Sequence, residues 1–181
     1  DDVNISTSYV LGEVIDSNFG NEGTLNGEKL SESPVQTKPS VNLLENGYLY
    51  NFIGQDLSTG EWVLKAEILD ENINSISNSS ELVDGILFAN QKEFIVGSDI
   101  ANNKYVFYAK ENWDPSSIWL QIYNPMGNFI FPEPISIVGE FDEDNNYYPR
   151  SVFKNPDGGV ILIFKQQSIL GEEIDDIRLI G

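Results

Sequence analysis

The sequence predicts an all-β protein built of antiparallel, four-stranded repeat units of about 54 residues. Three observations carry that expectation. Short runs rich in Val, Ile, Tyr and Phe are separated by turn residues, and none shows the apolar spacing of a helix. A strand-turn-strand grammar recurs: residues 39–52 run from Pro-Ser-Val through Asn46-Gly47 to Tyr-Leu-Tyr-Asn-Phe, and 149–164 run from Pro-Arg-Ser-Val through Asp157-Gly158-Gly159 to Val-Ile-Leu-Ile-Phe. Finally, the tetrads Glu-Val-Ile-Asp (13–16), Glu-Ile-Leu-Asp (67–70) and Gln-Ile-Tyr-Asn (121–124) lie 54 and again 54 residues apart, each followed by polar turn residues. A fixed period of this size marks a solenoid, a propeller or an array.

Taken in order, residues 9–15 give a first strand and 25–31 a polar outer strand, where Glu28 and Lys29 face water. Pro34 and Pro39 bracket a connector. Asn46-Gly47 is a hairpin signal, because both residues tolerate the positive φ of tight turns. The inner strand from Tyr48 follows, then a hairpin at 56–60 and a strand from Trp62 to the second tetrad. A weaker copy has strands at 93–97 and 104–109 around Asp99, Asn102 and Asn103, without the Pro and Gly of the other hairpins. Inner strands beginning at Tyr48, Tyr105 and Val160 recur at 57 and 55 residues, and outer strands are expected at 76–83 and 130–138. Residues 160–164 are apolar on both faces, as in a strand covered on both sides. The expected units are 1–33 (partial), 34–85, 86–139 and 140–181 (partial), making one propeller-like array, with a β-sandwich as the alternative.

The Pro-Ser-Val…Glu-Asn-Gly-Tyr-Leu-Tyr and Pro-Arg-Ser-Val…Pro-Asp-Gly-Gly-Val-Ile-Leu-Ile segments resemble the blade repeats of large secreted bacterial β-propeller proteins. That resemblance implies a binding or structural scaffold at the cell surface and carries no catalytic residue to any position here. Residues 56–62, Asp-Leu-Ser-Thr-Gly-Glu-Trp, also resemble the Asp-box turn of sialidase propellers, where the Asp and the aromatic residue lock a hairpin. The arginine cluster of those enzymes is not matched, since Arg150 and Arg178 are the only arginines.

Composition excludes several classes. With 29 acidic against 10 basic residues the formal charge is -19, which repels phosphate backbones and anionic headgroups, so nucleic acid is not an expected partner. The absence of Cys and His removes disulfides, thiolate nucleophiles, the usual zinc sites and every Ser/His or Cys/His dyad. No stretch approaches the roughly 18 apolar residues of a membrane span. The start at Asp1-Asp2 fits a processed secreted chain or an excised piece of a longer one, and the Asn4-Ile-Ser and Asn78-Ser-Ser sequons fit an extracellular or cell-surface location.

Two sets of residues are candidates for binding. In the acidic run 140–146, Asp142 and Asp144 stand at alternate positions, as hard oxygen ligands for Ca²⁺ do, although the run lacks the central Gly and terminal Glu of an EF-hand loop. No cofactor is otherwise required. Trp113, in a loop before Pro115, together with Trp62, Tyr147 and Tyr148, offers aromatic faces to a glycan; Trp119 and Tyr123 share one face of a strand and are expected to pack. Asp56, Glu61, Glu67 and Asp70 include carboxylates that glycoside hydrolysis would need paired across a cleft.

The expected function is a non-enzymatic, secreted or cell-surface β-repeat protein acting in adhesion, assembly or ligand display. The alternative is a glycan-binding module or a fragment of a sialidase-like carbohydrate-active enzyme. Segment counting leaves an outer strand over at the N-terminal end and a three-stranded unit, ending with 174–180, at the other. Head-to-tail pairing with a second copy, or with the remainder of a longer parent chain, would satisfy both edges.

Overall fold

Runs of β-branched and aromatic residues become strands in the computed structural model. The structure describes residues 11–12, 28–29, 36–55, 62–76, 80–83, 94–111, 116–139, 142–169 and 176–180, and none of these is helical. Among them, therefore, no helix is long and apolar enough to cross a membrane. The chain divides into two compact units, Asp1–Glu81 and Leu82–Gly181.

In the first unit, β1 (Leu11–Gly12) and β2 (Glu28–Lys29) form a two-residue antiparallel ladder. The strands β3 (Gln36–Leu44), β4 (Gly47–Gln55), β5 (Trp62–Leu69) and β6 (Ser80–Val83) form a sheet in the order β3-β4-β5-β6, with the last strand running across the unit boundary. Pro39, expected in a connector, lies inside β3. The register against β4 shifts between Thr37 and Ser40, so a bulge absorbs the residue that has no N–H to give the ladder. Both faces of β4 are buried. Tyr50 and Phe52 stack with ring centroids 4.9 Å apart and pack with Leu69, Tyr48 and Ile73, while Leu49, Asn51 and Ile53 are buried on the opposite side.

The second unit holds two sheets. The strands β7 (Phe94–Ser98), β8 (Lys104–Glu111), β9 (Ser116–Tyr123) and β10 (Ile135–Val138) lie in the order β10-β9-β8-β7. The strands β11 (Asn145–Lys154), β12 (Val160–Ser168) and β13 (Asp176–Ile180) lie in the order β11-β12-β13. Pro149 repeats the device of Pro39, with a register shift between Pro149 and Ser151. The two sheets pack face to face through Phe107, Ile118, Leu120 and Ile122 on one side and Tyr147, Leu162 and Phe164 on the other. They approach closely at Gly97 in β7, where a Cβ would sit 2.5 Å from the Val152 Cγ2 of β11.

The ladders correct one expectation. Leu69 pairs with Tyr48 and Tyr123 pairs with Lys104, so the residue standing where Tyr48 stands is Lys104 rather than Tyr105. A slip of one residue reverses the face. Tyr105 therefore points with Phe107 into the core between the sheets, stacked on it at 6.4 Å. Among the described residues the outer strands are Ser80–Val83 and Ile135–Val138, and residues 76 and 130, where the outer strands are expected to begin, lie outside them.

Candidate functional site

Four five-residue loops, at 70–74, 99–103, 124–128 and 155–159, share one hydrogen-bond pattern. The first residue's N–H donates to the fifth residue's carbonyl, at 2.9, 3.2, 2.8 and 3.2 Å, and the fourth residue's N–H donates back to the first residue's carbonyl at 3.0, 3.2, 2.9 and 3.1 Å. The fourth residue is left-handed in every case: Ile73 (φ 62°), Asn102 (65°), Gly127 (85°) and Gly158 (112°). The first residue is always Asp or Asn, because a short side chain with an acceptor oxygen can reach the loop's own N–H groups. Asp70 Oδ1 accepts from Asn72 N (2.8 Å) and Asn74 N (2.9 Å); Asn124 Oδ1 accepts from Met126 N (2.9 Å) and Asn128 N (3.0 Å). Asp99 Oδ1 accepts from Asn103 N at 2.9 Å, and Asn155 Oδ1 from Asp157 N at 3.2 Å.

The last residue of the tetrad signature is thus a loop lock. Asn74 N–H is the main cause holding the Asp70 carboxyl below its ordinary value. Burial pushes the Asp99 carboxyl up, but hydrogen bonds from the Asn103 side chain and backbone and from the Tyr105 hydroxyl (3.1 Å) outweigh it and leave it lowered. Nothing in the local pattern marks Lys104, yet it is buried, and its ammonium donates to Ser98 Oγ at 3.0 Å and Asn102 Oδ1 at 2.6 Å. Burial, then Lys154, lower its pKa, against the pull of Asp99.

Of the two candidate Ca²⁺ ligands, Asp142 is turned inward and Asp144 is exposed. Asp142 Oδ1 accepts from Asp144 N at 2.9 Å, Oδ2 accepts from Asn145 Nδ2 at 3.0 Å, and the Tyr147 hydroxyl donates a short hydrogen bond to the same Oδ2. That phenol is the main cause of the lowered Asp142 pKa. A cation at Asp142 would have to displace these donors. Among the described residues no three carboxylates converge on one point.

The aromatic candidates are placed differently. Tyr147 and Tyr148 are only 8% and 7% exposed; Tyr147 packs on Phe164 with centroids 6.0 Å apart, and Tyr148 lies beneath Arg150 at 5.9 Å. Tyr147 also ties the two sheets of its unit together. Its N–H donates to Ser116 Oγ (3.0 Å), whose hydroxyl donates back to the Tyr147 carbonyl (3.2 Å), while Ser116 N donates to Asn146 Oδ1 at 2.8 Å. Trp62 enters β5 opposite Gln55, and Trp113 lies outside the described residues, as do Asp56, Glu61 and Glu140. Half-buried Trp119 donates to Ser117 Oγ at 2.8 Å, beneath the Lys110 ammonium at 4.8 Å.

Glu67 completes the set of acids. It stands opposite Tyr50 in the β4-β5 ladder, buried, with Oε2 lacking a hydrogen-bond partner, and burial raises its pKa against a hydrogen bond with Ser75. What the fold and these side chains define is an all-β protein of consecutive antiparallel sheets with acid-locked loops. No protein-family model, curated protein or solved structure matches the chain.

Proposed function

We propose that this chain is a non-enzymatic β-repeat scaffold of the secreted or cell-surface kind, a propeller-like array working in adhesion, assembly or ligand display. The observation that carries the reading is how its acids are used. Asp70, Asp99 and Asp142 accept hydrogen bonds from their own loops and sit below the ordinary carboxylate range, as structural acceptors do and as a general acid poised near neutrality does not. Sheet connectivity supports the array: among the described residues each sheet is made of strands consecutive in the chain, whereas Greek-key sandwiches commonly pass strands between sheets. In this reading no cofactor is required, and Ca²⁺ reaches Asp142 and Asp144 only by competing with Tyr147 and Asn145.

Self-association belongs to the same proposal. Among the described residues β3 and β13 are sheet edges, and an edge is a row of N–H and C=O groups that templates pairing with a second copy, head to tail. Hydrolysis assayed on a glycan panel tests the scaffold reading. No turnover is expected, and turnover abolished by one Asp or Glu substitution would overturn it. Light scattering tests the association, which a stable monomer at high concentration would exclude.

A further inference from the structure

The connection from β9 to β10 carries exposed apolar side chains on a backbone that is hydrogen-bonded to β9. Met126, Phe129, Ile130, Phe131 and Ile135 are all exposed, at 38 to 59%. Backbone hydrogen bonds to β9 hold this segment in register, which lowers the cost of ordering it against a partner. Phe129 bridges to Tyr123 in antiparallel register with rings 5.0 Å apart, Ile130 N–H donates to the Ile122 carbonyl at 2.9 Å, and Gln121 Nε2 donates to the Phe131 carbonyl at 2.9 Å. The first unit holds Ile76 in the same way, its N–H donating to Ile68 at 2.9 Å, and leaves it exposed.

Charge is divided sharply around this surface. Residues 116–139 contain a single charged side chain, Glu133. Just past β10, the Asp142 N–H closes a turn on the Gly139 carbonyl at 3.2 Å, which keeps the exposed Glu143 and Asp144 beside the end of that strand. Among the described residues β10 is the outer strand of its sheet, and its free edge is short because Pro132 and Pro134 offer no N–H before Ile135. A short edge limits open-ended stacking while still setting the register of one added strand.

We propose that β10 and the 126–135 segment form a docking site for an extended polypeptide with a basic N-terminal half and an apolar C-terminal half. Added antiparallel to β10, such a strand lays its apolar side chains on Ile130, Phe131 and Ile135 and its lysines or arginines beside Glu143 and Asp144. At this edge a second copy of this chain fits poorly, because the site calls for a basic segment beside Glu143 and Asp144 and the chain has only 10 basic residues against 29 acidic ones. The site goes beyond the scaffold reading and stands whether or not the chain associates with itself.

The test uses the full chain and a fluorescein-labelled octapeptide, Lys-Thr-Lys-Thr-Val-Thr-Ile-Val, followed by anisotropy, with the reversed sequence as control. Saturable binding is expected, at least about tenfold weaker for the reversed peptide, for Ile130→Ser with Phe131→Ser, and for Glu143→Lys with Asp144→Lys. Ile100→Ser, an exposed apolar change outside the site, should leave it unaltered. Hydrogen exchange on the unmodified chain should show the peptide protecting amides of β10. No binding, or binding equal for both peptides and every variant, would overturn the site as mere attraction to an acidic surface. Light scattering that shows a dimer dissociated by Ile130→Ser would overturn it in favour of a second copy.

Discussion

Glu67 and Gln121 stand at the same place in their tetrads, 54 residues apart, and both are buried. Only one is satisfied. Gln121 has an amide N–H for the Phe131 carbonyl, whereas the carboxylate of Glu67 has a hydrogen bond with Ser75 but leaves its Oε2 without a partner. Its folded pKa lies above the ordinary 4.5, so the stability it contributes is fully present below that value and is lost as pH rises through the folded pKa. Glu67→Gln should therefore stabilise the protein at pH 7 by about 1 to 2 kcal/mol and have little effect at pH 3. Urea unfolding at the two pH values checks this, and a destabilised variant at pH 7 would mean that the charge is paired to advantage.

At the scale of the element, the loops explain the repeated signature, and Asn102 shows how a loop dispenses with glycine. Its left-handed backbone suits Asn, and its side chain also accepts from buried Lys104. Asn102→Ala forfeits both and should cost about 2 kcal/mol, while Asn102→Gly keeps the conformation and should cost less; thermal unfolding ranks them. Ile73 occupies the same position with a β-branched side chain, a strained choice offset by its packing against the cluster of Tyr50, Phe52 and Leu69. These facts mark what can be read from sequence. The Asp70 and Asn124 that close the two described tetrads are legible because their partners lie within four residues. The one-residue phase difference between Tyr48 and Tyr105 is set by ladder partners across the sheet and leaves no local trace. The strand continuing through Pro39 is hidden likewise, since a bulge depends on the neighbouring strand. At the candidate site, the run holding Asp142 reads as cation ligands until the Tyr147 hydroxyl is placed against it.

For the whole molecule, the second unit rests on two sheets that meet without room to spare at Gly97 and Val152. Gly97→Ala should destabilise by roughly 1 to 3 kcal/mol, and Val152→Ala in the same chain should recover part of that loss, a coupling that unfolding of the double variant measures. A full recovery is not expected, because Val152 also packs against the core. Both units depend on depressed carboxylates, Asp70 in the first and Asp99 and Asp142 in the second. Stability from these groups is present above the ordinary Asp value of 3.8 and is lost as pH falls through their folded values, the opposite sign to Glu67. The central claim is that these acids serve architecture rather than chemistry. Its most direct test is a carboxyl-resonance NMR titration of the folded full chain, in which Asp70, Asp99 and Asp142 should all titrate below 3.8. A value near neutrality for any of the three would contradict the account, because that group would then be poised to exchange protons with a substrate.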